Sequence, residues 1–600
     1  MLGDGKIQGE WLFENNGYSL YSIIFNSEKA GWYLQKPDGT VLYWDSKAEV
    51  EYDFIFKPVD KIDETVCKTI GENGKAIVYF RLDDVNHDEV MSLFEKRYPT
   101  IFSYMKLMED GEDVGIEKVN EYVLAKRVVY SEAYNKHNEE IVKTYINEDR
   151  SNAIFISQFS PLAILEINDE ILKKVEGDDK VLYVEQFEEL EVEDQLVTAT
   201  STIQADYVRD TLGHKGIGVK IGQVESGQPN KTYSELNNSR INPRYSGNTS
   251  DHASRVAVIM AGTTNGIAKG ATLYSTFVNG IFANYYSEVE YLLGKGVSII
   301  NASFGFKSGG GTYDITSQWT DHLATVHDVH FVAAAGNDNH AGGVGNPGMA
   351  YNAVTVGAFD TKGTTTYTDD TICSFSSAYT AYGYAIKPEI TAPGYDFKTT
   401  IAPSAPVGER SGTSFAAPMA AATIAQMINV SSSMATKQVA MRAVLTASAF
   451  RKLNASHYGI AGSSFIDSIE GAGKLDSKNA RYIINGSRYV STSLAAGTTT
   501  YTKTFSVNSS SNQIRVSLAW LKRNSITGSH TTAGNLVISP LGDLDLAVYD
   551  PSGKKIISST TTYSNFEVVE FNPSVSGTYK IEVKKYGNVN QKETFALAWW

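Results

Sequence analysis

Between residues 203 and 485 short, wholly apolar runs alternate with longer stretches of helical period. Val219 to Val224, Ser298-Ile299-Ile300-Asn301 and His330 to Ala335 read as buried strands, because apolar residues continue through them without the alternation of a half-exposed sheet. Each run stops at a cluster of polar and glycine residues: Glu225-Ser226-Gly227, Ser303-Phe304-Gly305 and Gly336-Asn337-Asp338-Asn339. Between the first two, Asp251-His252-Ala253-Ser254-Arg255 opens a helical pattern that runs to Ala261, with Asp251 placed to cap it. Further on, Phe415 to Val430 is one apolar helix with Pro418 in its first turn, where the missing N–H costs nothing. Strands and helices in this order predict an α/β fold with a doubly wound parallel sheet, whose sites form at the carboxyl ends of the strands.

The flanks have other periods. Residues 1–74 are rich in aromatic residues, and Trp32-Tyr33-Leu34 and Val41-Leu42-Tyr43 around Pro37-Asp38-Gly39 predict a hairpin in a small β region. Over residues 75–190 a strand from Ala76 to Leu82 leads into a helix from Asn86 to Lys96. After a charged middle come Ala163-Ile164-Leu165, a helix capped by Asn168 and ended by Gly177, and the strand Val181 to Val184. An acidic run and a Thr/Ser-rich stretch follow, and residues 191–202 read as an exposed linker. Over residues 490–600, Ile514, Val516, Leu518 and Trp520 alternate with polar residues, as do Leu544, Leu546 and Val548. Half-buried strands at this spacing predict an antiparallel β-sandwich.

A chain of 600 residues with 42% hydrophobic content is long enough for several cores. Its net charge of -15 argues against nucleic acid or anionic lipid as the main partner, since both select basic surfaces. The two cysteines, Cys67 and Cys373, lie far apart, which fits neither a disulfide framework nor a thiolate metal site. No run reaches the ~18 apolar residues of a membrane span, and Met1 to Asn16 lacks the pattern of a signal peptide.

The candidate chemistry centres on Gly412-Thr413-Ser414-Phe415-Ala416-Ala417-Pro418, which presents a serine hydroxyl at the start of a helix. A nearby histidine could take its proton, a carboxylate could orient that histidine, and an amide could stabilise the oxyanion. Glu225, His252, Asn337 and Ser414 supply these groups in chain order. With Val-Glu-Ser-Gly, Asp-His-Ala-Ser-Arg, Ala-Ala-Gly-Asn and Gly-Thr-Ser-Phe-Ala-Ala-Pro around them, the region resembles the subtilase family of serine proteases.

The resemblance implies a subtilisin-like fold and peptide hydrolysis through an acyl-enzyme. Ser414 would be the nucleophile, His252 the general base, Glu225 the orienting acid and Asn337 the oxyanion donor. It further implies that Ser303, Phe304 and Gly305 pair with the substrate backbone, while Ala334, Ala335, Gly336 and Gly345 line an open first specificity pocket. Residues 75–190 resemble a propeptide that folds against the catalytic domain and inhibits it, with self-cleavage between Phe187 and Ile203. Residues 490–600 resemble the C-terminal jelly roll of bacterial alkaline subtilases. The chemistry requires no cofactor, and structural calcium accompanies some relatives. Asp543 and Asp545 share a face, but about 6 to 8 oxygens are needed for calcium and the sequence does not assemble them. Protein or peptide substrates are the expected partners, together with the chain's own propeptide-like domain, and the family favours a secreted or cell-envelope location. Two positions depart from the family pattern: Glu225 stands where Asp is usual, and His252-Ala253-Ser254-Arg255 where His-Gly-Thr-His is usual. The competing reading is therefore a catalytically inactive subtilase serving as a binding or signalling scaffold.

Overall fold

A computed structural model describes the backbone of four strands within residues 7–44 and most of residues 75–600. Residues 45–74, 187–199, 279–281, 306–312, 379–385, 397–410, 451–458, 509–512 and 523–540, with the extreme N-terminus and several shorter stretches, lie outside the described residues. Strands β1 (Ile7–Asn15), β2 (Tyr18–Phe25), β3 (Glu28–Gln35) and β4 (Val41–Trp44) form an antiparallel meander. The expected hairpin is β3–β4, with Tyr33 opposite Tyr43; its Pro37-Asp38-Gly39 turn lies outside the described residues.

The next layer is α+β. It runs β5 (Lys75–Phe80), α1 (His87–Arg97), α2 (Pro99–Glu109), α3 (Ile116–Val142), β6 (Ala153–Ile156), β7 (Leu162–Glu166), α4 (Asp169–Gly177) and β8 (Val181–Gln186). The sheet is antiparallel in the order β6-β7-β5-β8, the split βαβ arrangement. Asn86 and Asn168 cap α1 and α4, each accepting from two first-turn N–H groups. The charged middle that gave no clear element in the sequence is the 27-residue helix α3. Its buried face carries Lys126, Arg127, His137 and Asn138 among apolar residues, which breaks the period that hydrophobicity alone would reveal.

The central body continues with β9 (Lys220–Glu225), β10 (Ile241–Pro243), α5 (Asp251–Ala261), β11 (Thr272–Phe277), α6 (Phe282–Gly294), β12 (Ile299–Ala302), α7 (Ile315–Val326), β13 (His330–Ala334), β14 (Val354–Asp360), β15 (Thr371–Ile372) and β16 (Ile390–Pro393). Helices α8 (Thr413–Val430) and α9 (Gln438–Ser448), the short ribbon β17 (Gly459–Ile460) and β18 (Ser463–Asp467), and α10 (Ser477–Asn485) complete it. The sheet order is β10-β11-β9-β12-β13-β14-β15, with β16 also on β14. All pairings are parallel except β14–β15, where a two-residue edge strand returns directly. Neighbouring residues of one strand serve opposite cores: Ile299 packs with α5 and α8, whereas Ile300 packs with α6 and α7.

The C-terminal region pairs two four-stranded antiparallel sheets. One has the order β19-β26-β21-β24 and the other β20-β25-β22-β23. Their strands are β19 (Tyr489–Leu494), β20 (Thr500–Val507), β21 (Ile514–Trp520), β22 (Leu544–Tyr549), β23 (Lys555–Ser559), β24 (Phe566–Phe571), β25 (Gly577–Lys585) and β26 (Glu593–Trp599). β22 alternates as expected, but β21 is buried on both faces. The sequence misleads there because the polar residues of β21 find partners on the central body: Arg515 donates to Ala449 O (2.8 Å), and the Ser517 hydroxyl bonds Thr446 Oγ1 (2.7 Å). The expected linker needs a second correction. Its last residue, Thr202, is buried rather than exposed, since the adjoining Ile203 accepts a bond from Ser477 N (2.9 Å) at the start of α10; residues 187–199 lie outside the described residues.

Candidate active site

The site begins where β9 meets the start of α5. β9 lies inside the sheet, and Glu225 at its carboxyl end is wholly buried, with its backbone oxygen accepting from Val278 N (2.8 Å). Two residues on, a Cβ at Gly227 would fall 2.6 Å from Ser250 Oγ, so only glycine lets the Glu225 turn approach the helix start this closely. The cap of α5 is Ser250, whose hydroxyl accepts from Ala253 N (3.0 Å). This corrects the expectation for Asp251, which is already helical and accepts a bond from Tyr233 OH (2.7 Å). Ser254 donates to Ser250 O (2.6 Å) and accepts from Asn230 N (2.9 Å), while the buried Gln223 amide donates to Ala253 O (2.8 Å). Strand end and helix start are thus stitched together on both sides of His252.

That stitching brings the imidazole to the carboxylate: His252 Nδ1 lies 2.9 Å from Glu225 Oε2, and both side chains are buried. A Nδ1–H donated to the carboxylate fixes the tautomer in which Nε2 carries the basic lone pair. The imidazole also meets the Phe415 ring edge to face, with centroids 4.8 Å apart, which sets it beside the first turn of α8, the turn that carries Ser414. The longer side chain of glutamate does not prevent contact.

Asn337 lies on the loop after β13, in reach of the serine turn. Its Oδ1 accepts from Thr413 N (2.9 Å) and Thr413 Oγ1 (3.1 Å), which commits the carbonyl end of the amide and turns the Nδ2 donors the other way. Thr413 Oγ1 in turn accepts from Gly336 N (3.0 Å), at a residue whose φ of +107° favours glycine. Thr413 therefore joins the Asn337 loop to the Ser414 turn. In the sequence Thr413 and Gly227 stand within the quoted motifs without an assigned role, and nothing there singles out Gln223 or Ser250. Only the glycine carried a signal, since it stands two residues after a candidate acid.

The expected substrate-binding residues converge too. A Cβ at Gly305 would stand 3.7 Å from Gly345 Cα, and one at Gly336 would stand 3.9 Å from Gly345 N, so three main-chain segments come close together. Several side chains turn inward instead. Ser303 Oγ accepts from Asn301 Nδ2 (2.7 Å), Phe304 packs on Tyr285 (centroids 5.7 Å), and Ala335 is enclosed with Val344 and Met349. What these three residues can offer a substrate is main chain; Ala334 is likewise buried, at the end of β13. Among the described residues, no group of three or more His, Cys, Asp or Glu is arranged to hold a metal ion. Burial and the neighbouring Asp543 push the Asp545 carboxyl up to about 6. No described helix is long and apolar enough to cross a membrane.

The model of the subtilase family matches residues 131–474, and that of the bacterial pre-peptidase C-terminal domain matches residues 499–585. Subtilisin E of Bacillus subtilis is 26% identical over 319 residues, covering 50% of this chain and 77% of its own. The thermostable alkaline protease of Halalkalibacterium halodurans is 24% identical over 316 residues, covering 50% of this chain and 82% of its own. A solved structure of the prenylagaramide maturation protease PagA has a TM-score of 0.38 and 22% identity, covering 46% of this chain and 97% of that one. The family match spans more than half of the 600 residues, and the chain therefore belongs to the subtilase family, as a subtilisin-like serine endopeptidase with a pre-peptidase C-terminal domain.

Proposed function

We propose that Ser414 attacks the scissile carbonyl of a peptide, that His252 takes its proton and returns it to the leaving amine, and that Glu225 orients and stabilises the imidazolium. The observation that carries this reading is the 2.9 Å contact between His252 Nδ1 and Glu225 Oε2. Asn337 Nδ2 and the Ser414 N–H, at the positive end of α8, receive the oxyanion of the tetrahedral intermediate; one such donor is worth about 3 kcal/mol in the transition state. Collapse of the intermediate breaks the C–N bond and leaves an acyl-enzyme, which water hydrolyses by the same base. The main chain of Ser303, Phe304 and Gly305 pairs with the substrate as an added strand, and the space between Gly305, Gly336 and Gly345 receives the side chain before the cleaved bond. Residues 75–190 act as a propeptide, and the chain cuts itself between Phe187 and Ile203. A secreted or cell-envelope protease is the setting that suits such a precursor.

A fluorophosphonate probe tests the assignment. Wild type should be labelled stoichiometrically, Ser414→Ala not at all, and only wild type should change mass by self-cleavage. Absence of labelling in folded wild type would overturn the active reading in favour of an inactive scaffold.

A further inference from the structure

On the far side of the substrate cleft, three parts of the chain meet at one carboxylate. Asp321 on α7 is wholly buried. Its Oδ2 accepts from Tyr313 OH (2.6 Å) and Tyr351 N (3.3 Å), and its Oδ1 accepts from Asn352 N (2.6 Å). Tyr313 stands eight residues after Gly305, in one wall of the cleft, and residues 306–312 between them lie outside the described residues. Tyr351 and Asn352 end the segment that starts at Gly345, the facing wall. Ser317, one turn before Asp321 on the same helix, hydrogen-bonds the Asn346 side chain, so α7 holds that second segment at both ends.

The third part comes from the C-terminal sandwich. Just after β21, Lys522 N donates to Asn352 Oδ1 (2.9 Å) and Lys522 O accepts from Asn352 Nδ2 (2.9 Å), a reciprocal pair that leaves the Asn352 side chain one orientation. Asn565, before β24, donates to Tyr351 O (2.9 Å) and Trp520 O (3.0 Å). The Lys522 ammonium stands 4.8 Å from the Tyr351 ring centroid and 5.3 Å from that of Tyr313, and these rings meet edge to face at 5.1 Å. The sandwich thus touches both cleft anchors through one buried lysine and one buried amide.

From this junction we infer that the C-terminal sandwich is a positioning element of the peptidase. Through Lys522 and Asn565 it holds Tyr313, Tyr351 and Asn352 on Asp321, and so sets the position of the cleft wall that starts at Gly345 and faces Gly305. The inference rests on the assignment of those walls to substrate binding. Lys522, Asn565, Tyr313 and Asp321 are positioning residues, since none belongs to the reacting group. Cleft width matters most for a large side chain before the cleaved bond and little for a small one, because packing against the walls scales with the area enclosed.

The test uses the full chain carrying Asn565→Leu, which keeps the side-chain shape and removes the bonds to Tyr351 O and Trp520 O, and separately Tyr313→Phe, which removes one hydroxyl. Two peptides that differ only in Phe or Ala before the cleaved bond report the walls, and the fluorophosphonate labelling rate of Ser414 reports the reacting centre. Both variants should lower kcat/KM for the Phe peptide about tenfold more than for the Ala peptide, mainly through KM, with labelling within about twofold of wild type. Equal losses on both peptides and on labelling would overturn the inference as general destabilisation, and unchanged kinetics would overturn it outright. Amide hydrogen exchange over residues 344–352 decides the matter independently of activity. Faster exchange in Asn565→Leu supports the positioning role even where the peptides are not cleaved, and unchanged exchange sinks it.

Discussion

The central body is joined to its neighbours along two seams of opposite chemistry. At the N-terminal seam α3 lies across the ends of α6 and α7. Arg127, fully buried, donates to His327 O (2.9 and 3.2 Å) and Leu293 O (3.1 Å), and Lys126 pairs with Asp328. Beside these cations lie neutral imidazoles: His322 Nε2 bonds Tyr134 OH (3.1 Å) and His327 Nε2 bonds Phe159 O (3.0 Å). At the C-terminal seam the polar groups around Asp321, Asn352 and Ser517 are a carboxylate, a lysine and neutral amides and hydroxyls, and the Arg515 guanidinium donates to Ala449 O (2.8 Å). Both seams satisfy buried polar groups, yet they respond oppositely to acid.

Burial pulls His322 down to about 4 and His327 well below its ordinary value, with nearby cationic groups adding to the effect at His327. For such groups the unfolded chain binds protons first. Their stabilising contribution is complete above pH 6.5 and declines as pH falls towards 4. Burial pushes the Asp321 carboxyl up to about 6, so there the folded chain binds the proton first, and stability gains between pH 6 and 3.8. Glu290, also fully buried and bonded to Ser157 Oγ and Gln158 N (3.1 Å), is pushed up to about 7 and offsets part of the histidine loss at the first seam. Two histidines against one carboxyl leave the N-terminal seam as the side that acid weakens.

The centre between the seams should show the largest single effect. Glu225→Gln should lower kcat/KM by about 10⁴-fold, because an amide supports the wrong tautomer and not the imidazolium, while leaving both seams and the thermal midpoint near wild type. A comparable fall in the thermal midpoint would mean that the triad and the seams are not separable.

Next in size is Arg127→Met. Removing a buried cation that serves two carbonyls should cost about 3–5 kcal/mol, measured by urea unfolding of Ser414→Ala protein so that self-cleavage does not intervene. Gly227→Ala should lower kcat/KM by about 10²-fold, since the added methyl would force α5 and His252 away from Glu225. Unchanged kinetics would show that the turn has more room than its 2.6 Å approach to Ser250 implies.

The contrast in pH response is sharper in kind and smaller in size. In Ser414→Ala protein, His322→Gln should shift the change in stability between pH 6.5 and 4.5 upward, because it removes one group that the unfolded chain protonates first. An unchanged pH dependence would break the contrast. The smallest effect belongs to Ser517→Ala at the C-terminal seam, about 1 kcal/mol for one neutral hydroxyl pair, with no change in slope against pH.

Much of this molecule was legible in its residues. Wholly apolar runs marked the central strands, Asn86 and Asn168 marked two helix starts, and the spacing of Glu225, His252, Asn337 and Ser414 marked the candidate site before any geometry was known. These are local signals: a cap, a period or a motif acts within a few residues, so the chain's order preserves it. The helix α3, the double burial of β21 and the meeting of three distant segments on Asp321 left no such trace. Each depends on polar side chains whose burial is tolerated only because a partner lies in another region, as Arg127 depends on His327 O, Arg515 on Ala449 O and Asn352 on Lys522 O. Read along the chain they are ordinary surface residues, and only the tertiary structure, by supplying the partners, made them interior.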